Sequence, residues 1–519
     1  MDPFASSRAD LEPEEWFNKL NALFTTPTAA PWQDHLPRPS TRGAWAGEQY
    51  GSSANISRYW TPRNQYLDAL WSYNVGDPPL PQIEPEYHEV FCGVIRKARS
   101  NYAPLCIGPM LDRVELQAVA TQKDSDANGD DMAADIMDET GFVAVLKDIF
   151  KYQFTMADSY AMVVPGTKGG AELTNGTPVP TVHAIDPRRC IGVPDLNNPL
   201  RLAAALVHQH DPILGERAAH LFLPGEKWTV RYDRNKGLWT PHGDPEKVVG
   251  LDALGGIPIV RFENPDGIGE YEPHIDLLDR IIDTTLQRII GFWYQALRQR
   301  GLEGDEDEEV YEDRPDAKEP IDFDKLFKAG PGAMWRIPEG FKVWESQQSD
   351  FSGILKGKLD DAKEFAAVTG TPLHFITPDA ANGSAQGAGL MRESLTSKCR
   401  DRRIRSAPRV KLLWRMLFAL AGEPDRGRRV QLQWGPIEFH TLAEQGSASA
   451  QSLGTLSLED RCVRIWDMTP EEAKRNIARL RADGLLGLPT APTTQQTPPE
   501  TPTTPEEPPN PGADDDVPE

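Results

Sequence analysis

Positive charge is scarce in this chain: 55 Lys and Arg stand against 78 Asp and Glu, a formal net charge of −23 over 519 residues. So acidic a surface argues against tight, non-specific binding of nucleic acid by the whole molecule, since that binding relies on cations displacing counterions from the phosphates. Cysteine is scarce too. Cys92, Cys106, Cys190, Cys399 and Cys462 are odd in number, scattered and never spaced as CxxC. That pattern fits reduced thiols in a cytoplasm and argues against a disulfide framework or a zinc site. No apolar run approaches the length that spans a bilayer, and the opening MDPFASSRADLEPEE lacks the apolar core of a secretion signal. The expectation is a soluble protein with no membrane partner.

Catalytic motifs are missing as well. There is no GxxxxGK[ST]; Gly353-Ile-Leu-Lys-Gly-Lys358 is one residue short and sits in a helical pattern. HExxH, GxSxG and the dinucleotide fingerprint are absent, so neither catalytic residues nor a cofactor are expected. His208, His210 and Asp211 gather at a strand end without a fourth ligand, and the simpler reading there is a partly exposed strand end. Glu303, Asp305, Glu306, Asp307, Glu308 and Glu309 form an acidic run that could attract divalent cations. Such runs are more often solvated surface, so no metal site is assigned.

What is present is a chain with 39% hydrophobic residues, enough for a sizeable core, and a length that suits about three domains. Apolar spacing predicts an amphipathic helix at 13–24 through Trp16, Phe17, Leu20, Leu23 and Phe24, docked on the body. Pro, Gly and Ser dominate 25–57, an extended arm whose isolated Trp32 and Trp45 want burial against the body or a neighbour. Further helices are expected at 62–74, stopped by Gly76-Asp77-Pro78-Pro79, and at 85–101, 130–140 and 142–157. From 160 to 263 the period becomes two. YAMVVPG, TVHAIDP, RLAAALVHQHD, AHLFLPGEKWTVRYD, GLWTPHG and GGIPIVRFENP read as strands, with a hairpin at Arg234-Asn235-Lys236. The first half is therefore mixed α+β.

Residues 273–300 carry the cleanest helical pattern, with Ile275, Leu278, Ile282, Leu286, Ile289, Trp293 and Leu297 at spacings of three and four. A second helix at 351–369 uses Phe351, Leu355, Leu359, Ala362 and Phe365, and stops at Gly370-Thr371-Pro372. Between them lie short strands around AMWRIP and FKVWES, so the helices can pair antiparallel and carry that insertion at their far end. A polar loop at 371–387 follows, then a basic helix to about 421 that Pro408 should kink. A mobile loop between two strong helices suggests that the loop works. Arg392, Lys398, Arg400, Arg402, Arg403, Arg405, Arg409, Lys411 and Arg415 lie on all sides of the basic helix. In so acidic a chain most should pair with carboxylates, within the chain or on a neighbouring copy, in preference to DNA. A strand at 430–439, helices at 441–455, 458–467 and 470–483, and a Pro/Thr/acid-rich tail of disordered composition complete the chain.

Four segments carry a family likeness. Arg63-Asn-Gln-Tyr-Leu-Asp-Ala-Leu-Trp-Ser-Tyr-Asn-Val-Gly76-Asp-Pro-Pro-Leu80 follows a "Y…G…PL" helix and turn. Asn101-Tyr-Ala-Pro-Leu-Cys-Ile-Gly-Pro-Met-Leu-Asp-Arg-Val-Glu-Leu116 follows an "N…vvd…RL" segment. Ile257-Pro-Ile-Val-Arg-Phe-Glu-Asn264 matches a strand before a stem helix, and Thr369-Gly-Thr-Pro-Leu-His374 with Gly383-Ser-Ala-Gln-Gly387 matches a helix–loop–helix junction. In their collinear order over roughly 58–485, the chain resembles the portal proteins of tailed bacteriophages, in particular the branch typified by phages of Gram-positive hosts.

That resemblance implies an α+β, portal-type subunit with wing, helical stem, small β clip, long kinked helix and helical crown, assembled as a ring, usually a dodecamer. The wing would be 58–270, the first stem helix 271–300, the clip 301–350 and the second stem helix 351–370. The tunnel loop would be 371–387, the kinked long helix with a wing strand 388–440, and the crown 441–485. An N-terminal helix and arm (1–57) and the tail (486–519) fall outside the likeness. Double-stranded DNA would pass through the ring during packaging and ejection. Terminase and a head–tail adaptor would dock on it, beside the major capsid protein, at one vertex of a virion assembled in a host bacterial cytoplasm. By the same resemblance Asp379, Asn382, Gly383, Ser384 and Gln386 would border the DNA channel, with Lys356, Lys358 and Lys363 as possible stem lining. Glu303, Asp305, Glu306, Asp307, Glu308 and Glu309 would belong to the clip that meets the adaptor, and Pro408 to the helix kink. Two other readings compete. A metal-dependent nucleic-acid enzyme would need a DxD or HxH motif on strands, and another minor virion connector protein would ordinarily be shorter.

Overall fold

The computed structural model describes residues 11–27, 61–80, 93, 95–121, 123, 129–167, 169–296, 300–303, 342–345, 352–376, 385–438, 442–468 and 470–485. The expected arm, nearly all of the acidic clip run, residues 377–384 of the expected loop and the tail lie outside them. Pro13 opens helix α1 (Pro13–Leu23), where its missing N–H leaves no bond unmade, and Glu12 and Glu15 close a reciprocal capping box. Trp16, Phe17, Leu20 and Phe24 are buried on one stripe. Leu23, expected on that stripe, falls to its side and is exposed.

Helices α2 (Arg63–Val75), α3 (Ala103–Leu111), α4 (Asp131–Thr140) and α5 (Phe142–Met156) surround strand β1 (Leu116–Ala120) in the chain. Gly76 caps α2 at φ 79°, a left-handed turn where any Cβ would be strained. Of the helix expected at 85–101, what is described is mainly a 3-10 turn at Arg96–Ala98.

Residues 158–263 form two antiparallel sheets from β2 (Asp158–Val164), β3 (Thr181–Ile185), β4 (Cys190–Pro194), β5 (Leu202–His210), β6 (Arg217–Leu223), β7 (Glu226–Asp233), β8 (Leu238–Pro241), β9 (Glu246–Lys247) and β10 (Ile259–Glu263). The first has the order β10-β2-β3; the second runs β4-β5-β6-β7-β8, with β9 pairing β7. The hairpin expected between KWTVRYD and GLWTPHG is β7–β8, with Tyr232 opposite Trp239. Strand β4 was not anticipated, because five residues ending in proline carry too little periodicity to declare a strand. Alternation along β5 serves two cores. Ala204 and Leu206 meet α1, while Ala205 and Val207, beside Cys190 and Phe222 of their own sheet, meet the first sheet through Tyr160 and Ile259. Alanines here let helix and sheet approach closely.

The chain then enters helix α6 (Ile275–Ala296), strands β11 (Arg300–Glu303) and β12 (Lys342–Glu345), and helix α7 (Ser352–Thr369). The strands pair antiparallel, Arg300 opposite Glu345 and Glu303 opposite Lys342. Arg280 of α6 reaches Asp361 at 2.9 Å and also Glu364, whereas Arg288, two turns on, lies near Lys358. The helices therefore run antiparallel, joined beyond the β11–β12 ladder. Sequence spacing had assigned Leu355 and Leu359 to the buried face of α7, and this is corrected: they are 44% and 42% exposed. Burial on α7 is confined to Ala362, Phe365, Ala366 and Thr369, where the helix meets the body.

Helix α8 (Ala385–Leu420) is continuous across Pro408, which lies on an exposed position. Proline removes the bond to the Ile404 carbonyl, and Ile404 is itself on the water side, where solvent can serve that oxygen. The C-terminal half is buried on nearly all sides through Val410, Leu413, Trp414, Leu417 and Phe418. Trp414 stands 4.9 Å from the Phe142 ring, in a core shared with α2–α5, β2 and β10. Strand β13 (Gln431–Trp434) returns to pair antiparallel with β1, Leu116 opposite Trp434. The chain divides into two compact units, Met1–Glu444 and Gln445–Glu519. Helix α9 (Leu442–Gln451) precedes α10 (Leu458–Arg464) and α11 (Pro470–Leu485) of the second unit. Ser457 caps α10 by accepting the Asp460 N–H at 3.0 Å, and Cys462 and Ala473 are buried between these helices.

Candidate functional site

Several of the residues singled out in the sequence lie on the helix pair and on α8. On α7, Lys356 and Lys363 are exposed, and Lys363 lies 3.6 Å from Asp360 one turn before it. Lys358 is half-buried; burial and the nearby Arg288 lower its pKa, so its charge is held less firmly than that of its neighbours. The three lysines therefore do not form one equivalent row. Gln386 lies in the first turn of α8, and Glu303 ends β11 opposite Lys342. Asp379, Asn382, Gly383, Ser384, Asp305, Glu306, Asp307, Glu308 and Glu309 lie outside the described residues.

The basic residues of α8 largely behave as joints. Glu270, buried ahead of α6, accepts from Lys398 at 2.8 Å and from Arg402 at 2.7 Å, with Asn264 Nδ2 at 3.0 Å. Burial alone would raise its pKa, but the two cations outweigh that and hold the carboxyl below its usual range. Further along, Arg409 approaches Glu263 of β10 at 3.8 Å, and Arg261 binds Asp158 of β2 at 2.8 Å. Arg405 pairs with Asp401 at 2.9 Å, Arg403 donates to the Arg113 carbonyl, and Arg415 donates to the Gly427 carbonyl. Carboxylate pairing, expected for most of these cations, is thus seen for Lys398, Arg402, Arg405 and Arg409, while Arg403 and Arg415 serve backbone carbonyls instead. Arg400 is exposed, and neither it nor Lys411 has an ion pair among the described residues.

Sequence reasoning missed Glu270. Its one signal was its position, one of the carboxylates Asp266, Glu270 and Glu272 just before the cleanest helix of a chain whose basic helix needed partners. Asp279 of α6 was missed as well. It accepts the Tyr73 hydroxyl at 2.5 Å, and burial raises its pKa to about 6, with Asp283 and Asp276 adding repulsion against the Tyr73 bond.

The histidine pair at the β5 end holds no metal geometry. His208 packs 4.4 Å from the Phe24 ring and 5.3 Å from Trp239, and burial lowers its pKa to about 4, so it stays neutral. His210 faces the Glu216 carbonyl and Asp211 accepts the Ile213 N–H at 2.8 Å, closing the β5–β6 turn. Among the described residues no group of three or more His, Cys, Asp or Glu is arranged to hold a metal ion. Nor is any described helix long and apolar enough to cross a membrane.

No protein-family model matches the chain, and no curated protein matches it. Among solved structures it is similar to the neck of a native GTA particle computed with C12 symmetry, at 13% identity and a TM-score of 0.39, over 77% of this chain and 98% of that one. The neck of an empty GTA particle computed with C6 symmetry gives 14% identity and a TM-score of 0.39, over 73% and 94% of the two chains. Likeness this distant leaves the functional argument to the chain's own residues.

Proposed function

We propose that this chain is a portal-type subunit, copies of which close into a ring at one vertex of a phage capsid. Double-stranded DNA passes through the hole during packaging and ejection, and the ring docks a terminase and a head–tail adaptor beside the major capsid protein. The virion is its destination and the host bacterial cytoplasm its place of assembly. The observation that carries this reading is the antiparallel pair α6–α7, joined beyond a two-stranded ladder and followed by the polar 371–387 segment and the 36-residue α8. That order is the one the sequence motifs pointed to. Leu355 and Leu359, exposed on one copy, supply an apolar stripe for a neighbour in the ring. Pairing of the α8 cations inside the chain leaves few strong phosphate contacts, which suits a conduit that must let DNA slide.

The test is negative-stain electron microscopy with mass measurement over a range of salt and magnesium. A dodecamer would weigh about 690 kDa, twelve times 57.7 kDa, and show a central hole. Monomers under every condition, including with capsid protein present, would overturn the reading. Deleting 379–387 should leave rings intact and impair packaging; loss of folding would contradict that expectation.

A further inference from the structure

Between the two sheets of the first unit lies a cleft of about 1110 Å³. Met162, Ile185, Val207 and Phe222 give it an apolar floor, and Arg189 and Lys247 stand exposed at its rim. The 33 residues 28–60, between the described segments 11–27 and 61–80, leave and return beside this cleft. On the leaving side, Phe24 packs 4.4 Å from the His208 ring on the α1 face of β5, opposite the Val207 face that floors the cleft, so it is Thr26 that brings this end to the returning one. On the returning side, Arg63 donates to the Pro187 carbonyl at 2.8 Å and Asn64 Nδ2 to the Arg188 carbonyl at 3.2 Å, next to the lining residues Asp186 and Arg188. The two ends also touch, since the Arg63 N–H donates to the Thr26 carbonyl at 3.2 Å.

We propose that the arm 28–60 docks in this cleft of its own chain, seating aromatic side chains on the apolar floor. The arm carries Trp32, Trp45, Tyr50, Tyr59 and Trp60, side chains with large apolar area and a polar handle suited to a floor of Met, Ile, Val and Phe under a polar rim. A cleft of this size matches those that bury most of a drug-sized ligand. Half the arm, fully extended, spans roughly 50 Å, so reach does not limit it. What favours this cleft over other surfaces is the tether: with both ends fixed at its rim, the local concentration of the arm there is of millimolar order or about that. The inference is independent of the ring reading.

The experiment is amide hydrogen exchange on the full chain and on a variant in which a short Gly-Ser linker replaces 28–60, a gap the adjacent Thr26 and Arg63 allow it to close. Segments 183–189, 205–209 and 246–249 should exchange about tenfold faster without the arm, while 410–420 is unchanged. Equal rates at the cleft would overturn the proposal. Should that variant fail to fold, full-length Trp32→Ser/Trp45→Ser is measured in the same way, with the same expected and overturning outcomes. Protection already present in isolated monomer supports docking within the chain. Protection that arises only in assembled particles overturns it in favour of a neighbour's arm.

Discussion

Two arginine–carboxylate joints in this molecule use the same chemistry in opposite surroundings. Around Glu270 the carboxylate side chain is 3% exposed and is gripped by Lys398 and Arg402, fixing the start of α6 against α8. Around Arg280 the guanidinium is 50% exposed and bridges α6 to Asp361 and Glu364 of α7. Buried charges attract strongly but are costly to desolvate, so such a joint mainly defines geometry and tolerates no missing partner. An exposed pair is screened by water and salt and tunes an interface that apolar contacts already make. The rigid joint thus lies where the helix pair is rooted, and the forgiving one lies along its length.

The largest effect should come from removing the buried partner. Glu270→Ala leaves Lys398 and Arg402 facing a buried void, and urea unfolding should show a loss of about 3–5 kcal/mol. A loss under about 1 kcal/mol would mean the cations find water or another acceptor. Phe365→Ala should be comparable, about 3–5 kcal/mol, because Phe365 is fully buried where α7 meets the main core. On the same helix Leu355→Ala should change monomer stability by about 0.5 kcal/mol or less, since the residue is exposed. Equal losses for the two would erase the distinction between the two halves of α7.

Asp279 sharpens the comparison through pH. Its folded pKa, about 6, lies above that of an unfolded aspartate, so the site favours folding at acid pH and loses that contribution as pH rises through about 6. Asp279→Asn should therefore stabilise the protein at pH 8 by about 1 kcal/mol after allowing for solvent screening, with the difference gone at pH 4. A flat difference across that range would assign the effect to packing. Arg280→Ala should likewise cost little, about 0.5 kcal/mol or less, with the loss shrinking further in high salt. A cost matching that of Glu270→Ala would end the contrast on which the reading of the two joints rests.

Much of this was legible along the chain. Periodicity identified α1, α2, α4, α5, α6 and most strands of 158–263, because an element that buries one face must repeat its apolar residues at its own period. Net charge foretold carboxylate partners for Lys398, Arg402, Arg405 and Arg409, but not that Arg403 and Arg415 would turn to backbone carbonyls. The misses share a cause. Strands β1 and β13 pair across most of the sequence, and nothing local marks either as a partner of the other. Leu355 and Leu359 fit a helical stripe as well as Phe365 does, and only the position of the body decides which part of α7 is covered.

By itself the sequence determined the alternation of elements, their apolar faces, the acidic balance and the motif order from which the proposed function starts. Those properties are local or additive, written in spacing and composition. Which carboxylate meets which cation, which half of a helix stays in water, and the cleft where the arm's two ends converge were decided by the tertiary structure alone. Each depends on residues distant in the chain arriving at one place, and burial there sets the dielectric that makes Glu270 a rivet and leaves Arg280 a surface contact.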